Sequence, residues 1–135
     1  MAGYSKTPLW KKLGYKDGMT ALVQGAPAQY KKLLDLPSSL SIRWRKSPAE
    51  GTDLVHVFVR SAAELKELLT ICRSSIAPNG TVWVSWPKKA SKVTTDISED
   101  RVRDIALPMG FVDVKVCAVD EVWSGLKLVI RKLLR

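Results

Sequence analysis

Lys88 and Lys89 come directly after the apolar run Thr81–Trp86 and Pro87, where a strand would leave its sheet. Two ammonium groups at such a point can hold a phosphate or carboxylate. Helix N-termini nearby would add free N–H donors and partial positive charge. Gly25 and Ala26 precede a helix expected from Pro27, and Ser61 precedes another, so each segment could supply those donors. Asp120 sits in the turn between the last two expected strands, close in sequence to Lys127. The Asp120 carboxylate could act as a base, pair with Lys88 or Lys89, or close the turn. The last two roles ask least of the chain. The candidate anion site is therefore Gly25, Ala26, Ser61, Lys88, Lys89, Asp120 and Lys127; a solvated basic loop is the plainer alternative.

Other reactive residue types lack the company they need. His56, the single histidine, falls mid-strand between valines and reads as a core histidine with its hydrogen bonds met. Cys72 lies on an apolar helix stripe, and Cys117 has no evident histidine or helix N-terminus to activate it. Neither cysteine has zinc-site spacing with His56, so no metal is expected. Ser85 is not in a Gly-x-Ser-x-Gly elbow, and no phosphate-binding glycine loop of the Gly-x4-Gly-Lys type occurs. Trp10, Lys11, Lys12, Tyr15 and Lys16, with Arg43 and Arg45, could stack bases and contact phosphates of a nucleic acid. The competing reading folds this N-terminal arm back over an apolar sheet edge with Trp10 as anchor.

The charge distribution gives that second possibility its weight. The chain has 135 residues and a formal net charge of +9. Residues 1–50 carry nine Lys/Arg against three Asp/Glu, whereas residues 51–100 balance at six each. Such a field attracts nucleic acid, acidic lipid or anionic metabolites. No apolar run approaches the ~18 residues needed to cross a bilayer, and the first residues lack the apolar stretch of a signal peptide. A cytoplasmic location is expected, and Asn79-Gly80-Thr81 is then a tight turn rather than a glycosylation site.

The elements that must position these residues follow from periodicity. Residues 1–16 form a basic arm with a helical turn from Pro8 to Leu13, stopped by Gly14; residues 17–135 form one α/β domain. Met19–Val23 reads as a short strand. Pro27 suits a first helical position, and the helix after it turns Tyr30, Leu33 and Leu34 inward before Pro37. Leu40–Arg45 alternates at period two, as a half-buried or edge strand does, with its direction open. Leu54–Val59 is apolar on both faces, as a central parallel strand requires. Ser61-Ala62-Ala63-Glu64 is a capping box, and Leu65, Leu68, Leu69, Cys72 and Ile76 mark one helical stripe. A Pro78-Asn79-Gly80 turn leads to the strand Val82–Trp86. After a polar loop, Asp96 or Ser98 caps a helix that runs to about Met109 and stops at Gly110. Phe111–Val119 and Gly125–Arg131 then pair antiparallel, because five residues are too few for a crossover.

This order resembles a class I methyltransferase fold with the elements around its third strand trimmed away, across residues 17–132. The closing hairpin carries much of the likeness, and Ile76-Ala77-Pro78-Asn79-Gly80 before Thr81–Trp86 resembles the family's entry to its fifth strand. The resemblance implies a three-layer, mostly parallel, Rossmann-like sheet with a C-terminal antiparallel β-hairpin. It would also imply S-adenosylmethionine, but the family's glycine loop is here Gln24-Gly25-Ala26-Pro27-Ala28. Where the family places an acidic residue for the ribose, this chain has Arg43-Trp44-Arg45-Lys46. Neither departure suits ordinary cofactor binding, so no cofactor is expected.

A closer likeness is to a family of small uncharacterised bacterial proteins, a domain of unknown function. It rests on Thr7-Pro8-Leu9 with Lys12-Leu13-Gly14, on Trp83-Val84-Ser85-Trp86-Pro87-Lys88-Lys89, on Val116 to Glu121 and on Trp123 to Lys127. The function expected is a non-catalytic, methyltransferase-like domain that binds an anionic small molecule or a partner protein. Two alternatives stand beside it: a nucleic-acid-binding module using the basic first third, and a divergent methyltransferase using Gly25, Lys88 and Asp120.

Overall fold

Strands that are apolar on both faces need cover on both faces, and the architecture follows from that demand. The computed structural model describes residues 7–135; residues 1–6 of the expected basic arm lie outside the described residues. In chain order the elements are α1 (Leu9–Leu13), β1 (Thr20–Gln24), α2 (Tyr30–Leu34), β2 (Arg43–Arg45), β3 (Thr52–Phe58), α3 (Ala62–Ser75), β4 (Ile76–Pro87), α4 (Glu99–Ala106), β5 (Phe111–Ala118) and β6 (Trp123–Ile130). They build one six-stranded sheet in the order β2-β1-β3-β4-β6-β5. The first four strands run parallel, and β6 runs antiparallel to both β4 and β5. β3 and β4 are therefore central, as their sequences require.

The strand alternation sorts the core into two faces. Val55, Val57, Val82, Val84, Leu126 and Leu128 pack with Leu65, Leu69 and Cys72 of α3 and with Val102 and Ala106 of α4. On the other face Leu54, Phe58 and Trp83 pack with Leu9, Leu13, Tyr15, Tyr30 and Leu34. Helices on both sides of a mostly parallel sheet with a terminal antiparallel hairpin make the expected three-layer, Rossmann-like architecture.

The N-terminal segment does fold back, but onto a face of the sheet and not an edge. The Trp83 indole Nε1–H donates to the Leu13 carbonyl at 2.8 Å, tying α1 to the centre of the sheet. Leu9, Leu13 and Tyr15 are its buried anchors, whereas Trp10 is only partly buried. A five-residue helix turns just one apolar side inward, and Leu9 and Leu13 occupy it.

Other differences are local. The helix after β1 begins at Tyr30, because Pro27 closes a turn whose carbonyl accepts the Tyr30 N–H at 3.0 Å. β2 spans Arg43–Arg45 alone and lies parallel to β1. Ile76 ends α3 and at once opens β4, so Pro78-Asn79-Gly80 is a register shift within an extended strand. At Gly80 a Cβ would sit 2.9 Å from the Ala77 carbonyl oxygen, which requires glycine in that bulge. Of the two caps offered to α4, Ser98 is used; the helix ends at Ala106 and a 3-10 turn, Leu107–Met109, follows. β5 and β6 each start or stop one to two residues from the expected limits.

Candidate functional site

The strand order turns back on itself at β1, with β2 on one side and β3 on the other. In open α/β sheets the crevice outside the carboxyl ends at such a switch point is where ligands bind. Here Gly25 follows β1 with φ of +75°, and a Cβ on it would lie 2.6 Å from the Phe58 carbonyl oxygen. Only glycine lets the loop after β1 lie against the last residue of β3. Beside this contact are two adjoining hollows. One, of about 240 Å³, is lined by Gln24, Gly25, Phe58, Glu64, Glu67 and Leu68. The other, of about 410 Å³, is lined by Gly25, Phe58, Arg60, Ser61, Glu64 and Trp123. The Arg60 guanidinium lies 5.7 Å from the Trp123 ring centre, and Phe58 meets the same ring edge-on at 5.1 Å.

The residues of the expected anion site divide among four places. Lys88 Nζ donates to the Asp120 backbone carbonyl at 2.6 Å, and Lys88 N–H donates to the Val122 carbonyl at 2.7 Å. The Asp120 carboxylate accepts the Val122 and Trp123 N–H groups at 2.8 and 2.7 Å, so it closes the hairpin turn. Lys89 is exposed and lines a hollow of about 620 Å³ with Trp86, Lys92, Thr95 and Asp96. Gly25, Ala26 and Ser61 stand at the switch-point edge. Ser61 caps α3 by accepting the Glu64 N–H at 3.2 Å, while Glu64 accepts the Arg60 N–H at 3.3 Å. Asp96 accepts the Ala62 N–H at 2.8 Å, placing the chain's own carboxylate at the α3 N-terminus. Lys127 sits on the α1 face opposite Trp83, away from Lys88.

The residues considered for nucleic acid also separate. Lys11 and Lys12 are on α1 beside Trp10, and Lys16 is exposed on the segment that follows. Arg43 and Arg45 are exposed on the edge strand, where Arg43 donates to the Gly18 carbonyl at 3.0 Å.

Sequence reasoning did not anticipate a buried polar chain on the α1 face of the sheet. The Tyr15 and Tyr30 hydroxyls are 2.8 Å apart, and Tyr30 Oη is 2.8 Å from His56 Nδ1. His56 Nε2 is 2.7 Å from Ser85 Oγ. Its one sequence signal is that His56 and Ser85 are polar residues at inward positions of two apolar strands. Burial holds the imidazole in its neutral form, with its pKa lowered to about 3, and pushes both tyrosine hydroxyls well above their usual range. Burial also raises the Cys72 thiol to about 12 and lifts Cys117 above its ordinary value. Among the described residues no three His, Cys, Asp or Glu side chains form a group able to hold a metal. No helix among them is long and apolar enough to cross a membrane.

No family model matches this chain, and no curated protein does. Solved structures do. A S-adenosylmethionine-dependent methyltransferase from Aquifex aeolicus superposes with a TM-score of 0.60 at 17% identity, over 89% of this chain and 86% of that one. The Methanococcus jannaschii fibrillarin pre-rRNA processing protein gives 0.55 at 14% identity, over 93% and 70%. Aeropyrum pernix fibrillarin, described with natively bound S-adenosyl-L-methionine, gives 0.56 at 16% identity, over 95% and 71%. The expectation of no cofactor stands in tension with such neighbours. At these identities the likeness is one of fold: the chain has the Rossmann-like fold of the S-adenosylmethionine-dependent methyltransferases.

Proposed function

We propose that this chain is a divergent methyltransferase that binds S-adenosylmethionine in the crevice between the ends of β1 and β3. The observation that carries the reading is Gly25: its positive φ and its approach to Phe58 keep the loop after β1 tight against β3 at the switch point. The chemistry of the lining agrees. Arg60 and the Ser61 hydroxyl suit a carboxylate, and Glu64 and Glu67 suit an ammonium group and ribose hydroxyls. These two glutamates supply acceptors in a chain whose β2 ends in Arg43-Trp44-Arg45. Phe58 and Trp123 offer apolar surface to a base. The larger hollow is at the small end of the ~300–1,000 Å³ usual for ligand pockets.

When bound, S-adenosylmethionine supplies an electrophilic methyl group on a sulfonium. The chain's part is to hold and orient the two reactants, since orientation alone can remove ~7–11 kcal/mol of barrier. A binding role without transfer is the second reading, and the buried polar chain favours it. His56 and Ser85 are both 0% exposed, so neither can reach a substrate in the crevice.

Titration calorimetry with S-adenosylmethionine and S-adenosylhomocysteine tests the first step. Both should bind the wild type, and Glu67→Lys or Arg60→Ala should weaken binding about tenfold, the loss of one charged hydrogen bond. Absence of heat at millimolar ligand would overturn the proposal. Transfer of labelled methyl to components of a cell extract then separates an enzyme from a binding protein.

A further inference from the structure

A second concave surface lies at the opposite end of the sheet, on the α1 face. Its hollow, of about 540 Å³, is lined by Lys16 and Lys127 and also by Asp17, Asp53 and Asn79. Leu126 and Leu128 point into the α3–α4 core, so Lys127 between them faces the other way. Lys115 of β5 is its direct partner in the antiparallel register. Like charges directly opposite across two strands are unfavourable. A third lysine is close by: Lys16 lines the same hollow as Lys127. Among the described residues none of these three lysines is in an ion pair.

We propose that this surface is a second ligand site, which takes a phosphorylated sugar or nucleotide with its phosphate at Lys16, Lys115 and Lys127. The phosphate offsets a repulsion that the empty fold must bear. Burial, together with Lys115 and Lys16, holds the Lys127 ammonium below its usual range, and an anion would relieve it. The carboxylates decide the rest of the ligand. Asp53 Oδ2 accepts from the Thr20 N–H and hydroxyl at 2.9 and 3.1 Å, and Asp17 Oδ1 accepts from the Ser41 N–H at 2.7 Å. Each has a second oxygen for a hydroxyl or amino group, but both repel phosphate. An extended polynucleotide would bring further phosphates against these carboxylates, whereas a sugar phosphate presents hydroxyls to them. This site shares no residue with the switch-point crevice and does not depend on methyl transfer.

Ribose 5-phosphate, adenosine monophosphate and adenosine, with a single-stranded oligonucleotide as the macromolecular arm, should be compared by thermal shift and calorimetry at low salt. The two phosphate compounds should raise the melting temperature, and adenosine should not. Lys115→Gln and Lys127→Gln should each weaken them about tenfold, whereas Lys31→Gln/Lys32→Gln on α2 should not. In the absence of ligand Lys115→Gln should melt above the wild type, an outcome a merely structural lysine would not give. No shift with either phosphate compound, an undiminished shift in both lysine variants, or binding of the oligonucleotide alone would each overturn the proposal. S-adenosylmethionine binding should survive in the lysine variants, so failure here is distinct from failure at the crevice.

Discussion

His56 shows how much one residue's surroundings decide. Its place between valines marks it as a core histidine, but its partners are set by the third dimension: Tyr30 arrives from a helix and Ser85 from the next strand. Neither spacing nor periodicity reveals that meeting. The consequence is a pH dependence with a definite direction. The folded imidazole has its pKa lowered to about 3, and the unfolded one titrates near its ordinary value of 6.5. Between those values the unfolded chain binds a proton that the folded chain refuses, so stability is full above pH 6.5 and falls as pH drops. The slope from this group is about 1.4 kcal/mol per pH unit. Denaturant unfolding at pH 7, 6 and 5 should show that loss, and His56→Gln should flatten it. An unchanged slope in the variant would assign the acid sensitivity to carboxylates instead.

At the scale of elements, the strands and the long helix were legible because their periodicity is strong, while several polar residues found partners far along the chain. Ser61 and Ser98 are caps as their sequence context indicates. Asp96, equally placed to cap α4, reaches α3 and accepts the Ala62 N–H, while Thr95 donates its hydroxyl to the Arg60 carbonyl at 2.7 Å. Lys88 and Asp120 are likewise spent on the hairpin turn. A sequence shows which residues are able to cap but not which helix end will lie nearest. Asp96→Ala should therefore cost about 1 kcal/mol, as loss of a cap does. It should also speed amide exchange in the first turn of α3 and leave α4 protected. Faster exchange confined to α4 would mean that Asp96 serves the nearer helix after all.

The sheet plan was legible across the whole molecule, since two doubly apolar strands, an intervening capped helix and a short final connection leave few arrangements open. The switch-point crevice and the α1-face hollow were not, because each joins residues from distant segments, such as Gly25 with Trp123 and Lys16 with Lys127. Net charge acts at this same scale. The formal charge of +9 makes the folded chain repel itself, and the lysine group on the α1 face concentrates that repulsion. Arg103 forms salt bridges with Glu99, Asp100 and Asp113 on the α4–β5 side of the sheet, away from these lysines. Raising the ionic strength from ~0.01 to ~0.1 M shortens the screening length from ~30 to ~10 Å. The melting temperature in sodium chloride should therefore rise over that range, and rise less in Lys115→Gln/Lys127→Gln. Melting that falls with salt would show that attraction between the basic first third and the acidic residues outweighs lysine repulsion, and the lysine group would then lose its claim to be a source of strain.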